Sequence, residues 1–434
     1  MKYNELKVSD LIERKVIYPP MDGNHGGIHP KGNDFVDSGI PFIMASDIQE
    51  GKINLNTCKF ITLEQAESLK KGFAKTGDVL LTHKATIGRT AVVPKMKYPY
   101  IILSPQVTYY RVIDKTVLNP KYLEMYFKSN YFQETFKSWA GSGSTRSYLG
   151  ITAQQKLPII FQTIEVQDRI VSSIDLYTKA LLNNEEMINN LEDLAQTLFK
   201  HWFVDFEFPN ENGKLYKSSG GKMVESELGM IPQNWKVKSL SEIANFQNGL
   251  AMQKYRANEG EETLPVLKIK ELRQGFTTSD SDRCSVNIKD SVKVFNGDVI
   301  FSWSASLLVK LWIGGNAGLN QHLFKVTSDS YPKWFYYMWT KYYLDEFNAI
   351  AKDKATTMGH IKRSHLNESK VIIPTDKKLE KLTKIISPIV NKKIKLAEEN
   401  QSLEELRDTL LPKLLSGELE LPDDMEVTED VPIS

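Results

Sequence analysis

One long helix is written twice in this chain, and that repetition limits what the remaining residues can be. The stretches are residues 165–208 and 380–419, and at an offset of 212 Leu191 aligns with Leu403, Leu194 with Leu406, Thr197 with Thr409 and Leu198 with Leu410. Spacing alone carries the match upstream to Ile170/Leu382 and Tyr177/Ile389. In the first copy Ile170, Ile174, Tyr177, Leu181, Asn184, Ile188, Leu191, Ala195 and Leu198 step by four and three in turn. That is a coiled-coil seam, in which one polar residue such as Asn184 can fix register. In the second copy Leu382, Ile389, Leu396, Leu403 and Leu410 recur every seven residues, but the companion positions are Ile386, Lys393, Asn400 and Arg407. This half-polar seam predicts a less complete or solvent-wetted packing partner. Ser387-Pro388 predicts a break or restart of that helix, and Pro412 predicts its end. From 165 to 200 the first helix would run about 54 Å at 1.5 Å per residue. A spacer role is the favoured reading, with a homodimeric zipper between chains as the alternative.

Each helix follows a globular segment, and those segments are duplicated too. Pro41, Ile48 and Gly51 match Pro265, Leu272 and Gly275 at an offset of 224. Gly-Asp turns that feed short apolar strands match at 220, Gly77–Leu81 against Gly297–Phe301. Residues 82–90 and 104–106 follow the first turn, 302–306 and 320–322 the second. The falling offset describes two copies of one framework with unequal loops, an internal duplication. Each half continues with an aromatic helix-like segment, 122–129 and 334–341, whose rings read as core. A small, hydroxylic and basic loop comes next, 140–148 and 352–362. Such loops let backbone approach phosphates and leave Arg146, Lys354, His360 or Lys362 to reach base edges, although a flexible surface turn has the same composition. The candidate DNA contacts are therefore Lys84, Arg89, Gln106, Ser144, Thr145 and Arg146 in the first half. In the second half they are Gln321, Lys354, Thr356, Thr357, His360 and Lys362. Residues 22–30 form a turn-rich loop, where Gly26, Gly27 and Pro30 deny His25 and His29 the helix that would pair them as metal ligands.

A chain of 434 residues with 41% hydrophobic and 25% charged residues fits two or three domains with real cores. No run of 18 apolar residues and no signal-peptide apolar region is present, so cytoplasmic residence is expected. Cys58 and Cys284 lack the spacing for a disulfide framework or a thiolate zinc site. The net charge of +1 hides an alternation. Lys+Arg outnumber Asp+Glu by 20 to 14 over 1–155 and by 22 to 18 over 206–375, whereas acids lead by 8 to 4 over 156–205 and by 14 to 9 over 376–434. Basic globular units suit a polyanion such as DNA, although excesses of this size also arise by ordinary scatter. Motifs of chemistry are missing. Tyr18-Pro19-Pro20-Met21 lacks the acid or amide that opens an adenine-holding Asp/Asn-Pro-Pro-aromatic loop. Gly141-Ser142-Gly143 follows an aromatic stretch rather than a strand, so it is no methyl-donor loop. No Walker lysine, HExxH or GxSxG motif occurs. A catalytic role is not expected, and metal ligands are not expected either.

The chain resembles the specificity (S) subunits of type I restriction–modification enzymes over nearly its full length. The carriers are LeuPheLysHisTrpPheValAspPheGluPhePro (198–209), LeuLeuProLysLeuLeuSerGlyGluLeu (410–419) and IleProGlnAsnTrp (231–235), with the doubled Gly-Asp-Val strands. The resemblance implies an α+β fold with two similar target recognition domains and two long helices in an antiparallel coiled coil. The expected divisions are 1–155 and 209–375 for the recognition domains, 156–208 and 376–419 for the helical regions, and 420–434 for an acidic disordered tail. It further implies that each recognition domain reads one half of a split, asymmetric double-stranded DNA target. Ile170, Leu181, Leu191, Leu198, Leu396, Leu403 and Leu410 would then be spacer or partner-docking positions. Two methyltransferase subunits bringing S-adenosylmethionine would dock, and restriction subunits bringing ATP and Mg would join, with no cofactor on this chain. The competing readings are a coiled-coil scaffold without sequence-specific DNA binding and a self-contained methyltransferase or nuclease.

Overall fold

The computed structural model describes residues 4–49, 51–141, 147–353 and 359–422, with Asp353 described by its backbone alone. It divides into two compact units, one of residues 1–179 with 404–434 and one of 180–403. Each is described on its own.

In the first unit the elements that position the site are β1 (Asn4–Lys7), β2 (Met21–Asp22), β3 (Ile40–Ile43), β4 (Lys59–Ile61), β5 (Phe73–Ala74), β6 (Val79–Lys84), β7 (Thr86–Val92), β8 (Ile101–Leu103) and β9 (Val107–Tyr110). After them come α1 (Pro120–Lys128), α2 (Asn130–Gly141) and β10 (Pro158–Phe161). One sheet has the order β4-β3-β8-β5 and the other β2-β9-β6-β7. Among the described strands of this unit only β3 and β8 pair in parallel, Phe42 opposite Ile102. Both are continuous apolar runs buried on both faces, as strands in such a position must be. The Gly77-Asp78 turn works as the sequence predicts. Gly77 takes φ +89°, the Asp78 carboxylate accepts the Lys75 N–H at 2.7 Å, and Val79 enters the core fully buried. Asn119 caps α1 by accepting from Lys121 N, with Pro120 in the first turn. Tyr122, Leu123, Tyr126 and Phe127 are buried on that helix, which bears out the reading of its rings as core.

The second unit repeats this plan. Its elements are β11 (Met223–Ser226), β12 (Gly229–Pro232), β13 (Lys236–Ser239), β14 (Asn245–Asn248), β15 (Thr263–Leu267), β16 (Arg283–Ser285), β17 (Lys293–Val294), β18 (Val299–Ser302), β19 (Leu308–Leu311), β20 (Ala317–Leu319) and β21 (Leu323–Thr327). The sheets run β16-β15-β20-β17 and β14-β21-β18-β19, strand for strand the order of the first unit. The parallel pair recurs as β15 and β20, Val266 opposite Gly318. Residues 333–342 form the aromatic helix and bury Trp334 through Thr340 on every side, as a helix apolar all round must. The closing strand pair is also repeated: β1 with β10, and β13 with Lys370–Ile373, each antiparallel and each just ahead of a long helix.

Those helices are Ile164–Phe203 and Asp376–Ser416. In the first unit Ile170, Val171 and Ile174 join one core cluster with Leu414 and Leu415, and the Gln162 side chain donates to the Leu414 carbonyl at 3.1 Å. In the second unit Ala195, Phe199, Trp202 and Phe203 share a cluster with Leu382, Ile386 and Val390. The start of one helix thus meets the end of the other in each unit, an antiparallel pair. Two expectations are corrected here. Neither Pro388 nor Pro412 interrupts the second helix, which runs unbroken from Asp376 to Ser416. Both prolines are exposed, as are Lys384 and Asp408, so the carbonyls that each proline deprives of a partner lie on the solvent side. Burial of Leu382, Ile386, Val390 and Leu396 holds the opposite face. The polar seam position Lys393 is not left to solvent either, since it pairs with Glu192 of the facing helix.

Candidate nucleic-acid interface

The tip of the β6 strand is where the first unit gathers its polar side chains. His83 is fully buried, and its Nδ1–H donates to the Leu149 carbonyl at 3.0 Å. Its backbone N–H donates to the Gln106 carbonyl at 2.9 Å, and the Leu149 N–H returns to the His83 carbonyl at 3.0 Å. Beyond it Ala85 adopts φ +64°, a conformation that alanine rarely takes, and donates its N–H to Ser147 O at 3.0 Å. Three segments therefore meet: the strand tip, the β8–β9 turn at 104–106, and residues 147–149 beyond the polar loop. Exposed Tyr148 packs on the His83 ring at 5.7 Å, with Lys84 Nζ 5.9 Å from its own ring centre.

Below this junction lies a buried carboxylate. Asp22 accepts from His25 Nε2 at 2.6 Å and from Lys71 Nζ. Burial alone would raise its pKa, but the hydrogen bonds from Lys71 and His25 outweigh that and hold it below the usual range. His83 Nε2, buried and without a hydrogen-bond partner, sits 3.9 Å from the same carboxylate. Burial pushes the His83 pKa down against the opposing pull of the Leu149 carbonyl and Asp22. Both residues escape sequence reasoning because each is an isolated residue until β2 and β6 flank β9.

The second unit builds the same junction from different side chains. Trp303 N–H donates to His322 O at 3.4 Å, Ile361 N–H to Trp303 O at 3.1 Å, and Ala305 N–H to Gly359 O at 2.9 Å. Ala305 has φ +59°, the counterpart of Ala85. Where the first unit tilts Tyr148 against His83, this one sets His360 edge-on to Trp303 at 6.4 Å. His322 is held by Ser304 Oγ at its Nδ1, 3.1 Å away. Ala85 and Ala305 align at the offset of 220 that the Gly-Asp turns share, and both take a left-handed backbone.

The candidate residues divide accordingly. Lys84, Gln106, Gln321 and His360 lie at the two junctions, and Lys362 stands exposed one residue past Ile361, capping the helix Arg363–Glu368. Arg89 is exposed but turned inward, donating to the carbonyls of Ala45 and Ile48 at 3.1 and 3.2 Å, so it braces the 45–48 turn. Ser144, Thr145, Arg146, Lys354, Thr356 and Thr357 lie outside the described residues. Among the helix positions Ile170, Leu181 and Leu396 are buried, whereas Leu191, Leu198, Leu403 and Leu410 are half-buried. The described residues hold no group of three or more His, Cys, Asp or Glu side chains able to bind a metal ion. No helix among them is long and apolar enough to cross a membrane.

Residues 232–407 match the family model of the type I restriction modification DNA specificity domain. Over most of its length the chain is similar to type I restriction enzyme specificity subunits. It is 28% identical over 362 residues to the type I restriction enzyme MjaIX specificity subunit of Methanocaldococcus jannaschii, covering 79% of this chain and 78% of that one. It is 22% identical over 444 residues to the HindI specificity subunit of Haemophilus influenzae, covering 88% and 94%. Among solved structures, the type I S subunit of M. genitalium has a similar fold, with a TM-score of 0.54, 15% identity, and coverage of 95% of this chain and 96% of that chain. The similarity to these proteins extends over both halves of the chain.

Proposed function

We propose that this chain is the non-catalytic DNA-specificity subunit of a type I restriction–modification complex. Each unit binds one half of a split, asymmetric double-stranded target, and the long helices set the interval between halves and dock two methyltransferase subunits. Methyl transfer with S-adenosylmethionine, and ATP- and Mg-dependent cleavage, belong to the partner subunits. The observation that carries this reading is the duplicated junction, one backbone frame with two different sets of side chains. His83, Gln106 and Tyr148 occupy it in one unit and Trp303, His322 and His360 in the other. A shared frame with unshared side chains is what reading two different half-sequences on one kind of duplex requires.

The test is selection from a randomised duplex pool by the full chain assembled with its methyltransferase partner, followed by sequencing. The expected result is two conserved blocks at a constant interval, with Lys84→Ala/Gln106→Ala altering one block and leaving the other intact. Binding to unselected duplex should weaken steeply as salt rises. A coiled-coil scaffold would select no sequence, and that outcome would overturn the proposal.

A further inference from the structure

We infer that the second unit holds its half of the target through a basic groove, three of whose cations align with uncharged residues in the first unit, and that Gln321 at the rim of this groove reads a base edge. The inference rests on the DNA-binding reading above and adds a division of labour between the two halves. Beside His322 lies a groove of ≈ 640 Å³ whose lining includes Arg256, Lys268, Lys270 and Arg283 against the single carboxylate Asp282. Lys268 pairs with Asp282, and the Arg283 side chain is tied to Thr263, its Nη2 donating to the Thr263 carbonyl at 2.8 Å. Arg256 and Lys270 are exposed and have neither an ion-pair nor a hydrogen-bond partner among the described residues. Four cations around one concavity, with only Lys268 neutralised by a carboxylate and Arg256 and Lys270 unpaired, form a phosphate-binding surface.

The duplication supplies the comparison. Pro265 aligns with Pro41, and the strand pairing sets Pro265 opposite Arg283 and Pro41 opposite Phe60. In that alignment Lys268 and Lys270 fall on Met44 and Ser46. Three cations of the second unit therefore stand where the first unit has uncharged residues. The rim also carries recognition groups. Ser304 orients the His322 ring, whose Nε2 lies 3.4 Å from the Gln321 amide, and Gln321 is exposed. A glutamine amide matches the donor and acceptor pair of an adenine edge in the major groove.

The experiment compares the assembled full chain with two variants, Gln321→Ala and Arg256→Gln/Lys270→Gln, by the same duplex selection and by affinity for the selected duplex across a salt series. Melting temperatures equal to that of the parent chain establish that the variants are folded, as expected for exposed side chains. Gln321→Ala should lose discrimination roughly 5- to 150-fold at one or two adjacent positions, in the block that Lys84→Ala/Gln106→Ala leaves intact. The double variant should keep the same preferred sequence while the log–log salt slope becomes shallower by about two. An unchanged slope, or unchanged preference at every position after Gln321→Ala, overturns the inference while leaving a sequence-selective parent. A parent that selects nothing overturns the DNA-specificity reading itself.

Discussion

Glu192 provides the sharpest test of how the helical pair is held. Its carboxylate lies within the second unit, 15% exposed, where it receives Lys341 and Lys393 and accepts from the Tyr337 hydroxyl at 3.2 Å. Burial alone would raise its pKa, but the two lysines outweigh this and hold it at about 2 against an ordinary 4.5. A difference of this size corresponds to about 3 kcal/mol of stabilisation. Because the folded pKa is depressed, that stabilisation is complete above the unfolded value near 4.5 and is lost as pH falls from there through about 2. Glu192→Gln leaves two partly buried ammonium groups without a counter-charge, a change that costs about 3 kcal/mol or more in buried pairs. For a unit of this size the melting temperature of the full chain should fall by roughly 6–12 °C at pH 7. Scanning calorimetry from pH 7 downward should show this gap constant to about pH 5 and narrowing below 4.5. A variant within 2 °C of the parent at pH 7, or a gap that widens on acidification, would refute the argument.

Two further predictions concern the duplication and the seam. A Cβ added at Gly23 would stand 1.9 Å from the Leu103 carbonyl oxygen and one at Gly249 would stand 2.2 Å from that of Leu319. Either Gly→Ala change should lower the melting temperature by at least 5 °C, because a strand backbone must move; a neutral result would mean that the close approach is not required. Asn184 Nδ2 and Asn400 Oδ1 are buried without hydrogen-bond partners. Asn184→Leu should therefore raise the melting temperature, since an unsatisfied amide costs about 1–3 kcal/mol, and a fall would refute this account of the site.

The sequence made the doubled framework legible because its markers are local. A Gly-Asp turn ahead of a valine, an aromatic helix and a seven-residue repeat each carry their own periodicity. The unbroken second helix was not legible, since the exposure of Pro388 and Pro412 is a property of tertiary packing rather than of local preference. The polar seam at Lys393 was visible, but its partner Glu192 lies 201 residues away and becomes adjacent only in the antiparallel pair. The junction residues were half legible. Lys84, Gln106, Gln321 and His360 stood out by type and position, while Asp22, His83 and Trp303 acquire a role only when distant strands are paired. The groove cations come from a loop at 256, the start of the helix Ile269–Gln274 and the strand at 283, so no run of charge marks them in the chain.

The central claim is that two similar units read two different half-sequences. Single-molecule mapping of adenine methylation in the genome, with and without the gene for this chain, tests it most directly. The account predicts that a set of methylated sites disappears with the gene, and that every lost site contains two dissimilar blocks separated by one constant interval. Loss of sites with one contiguous sequence, or no change in methylation, would contradict it.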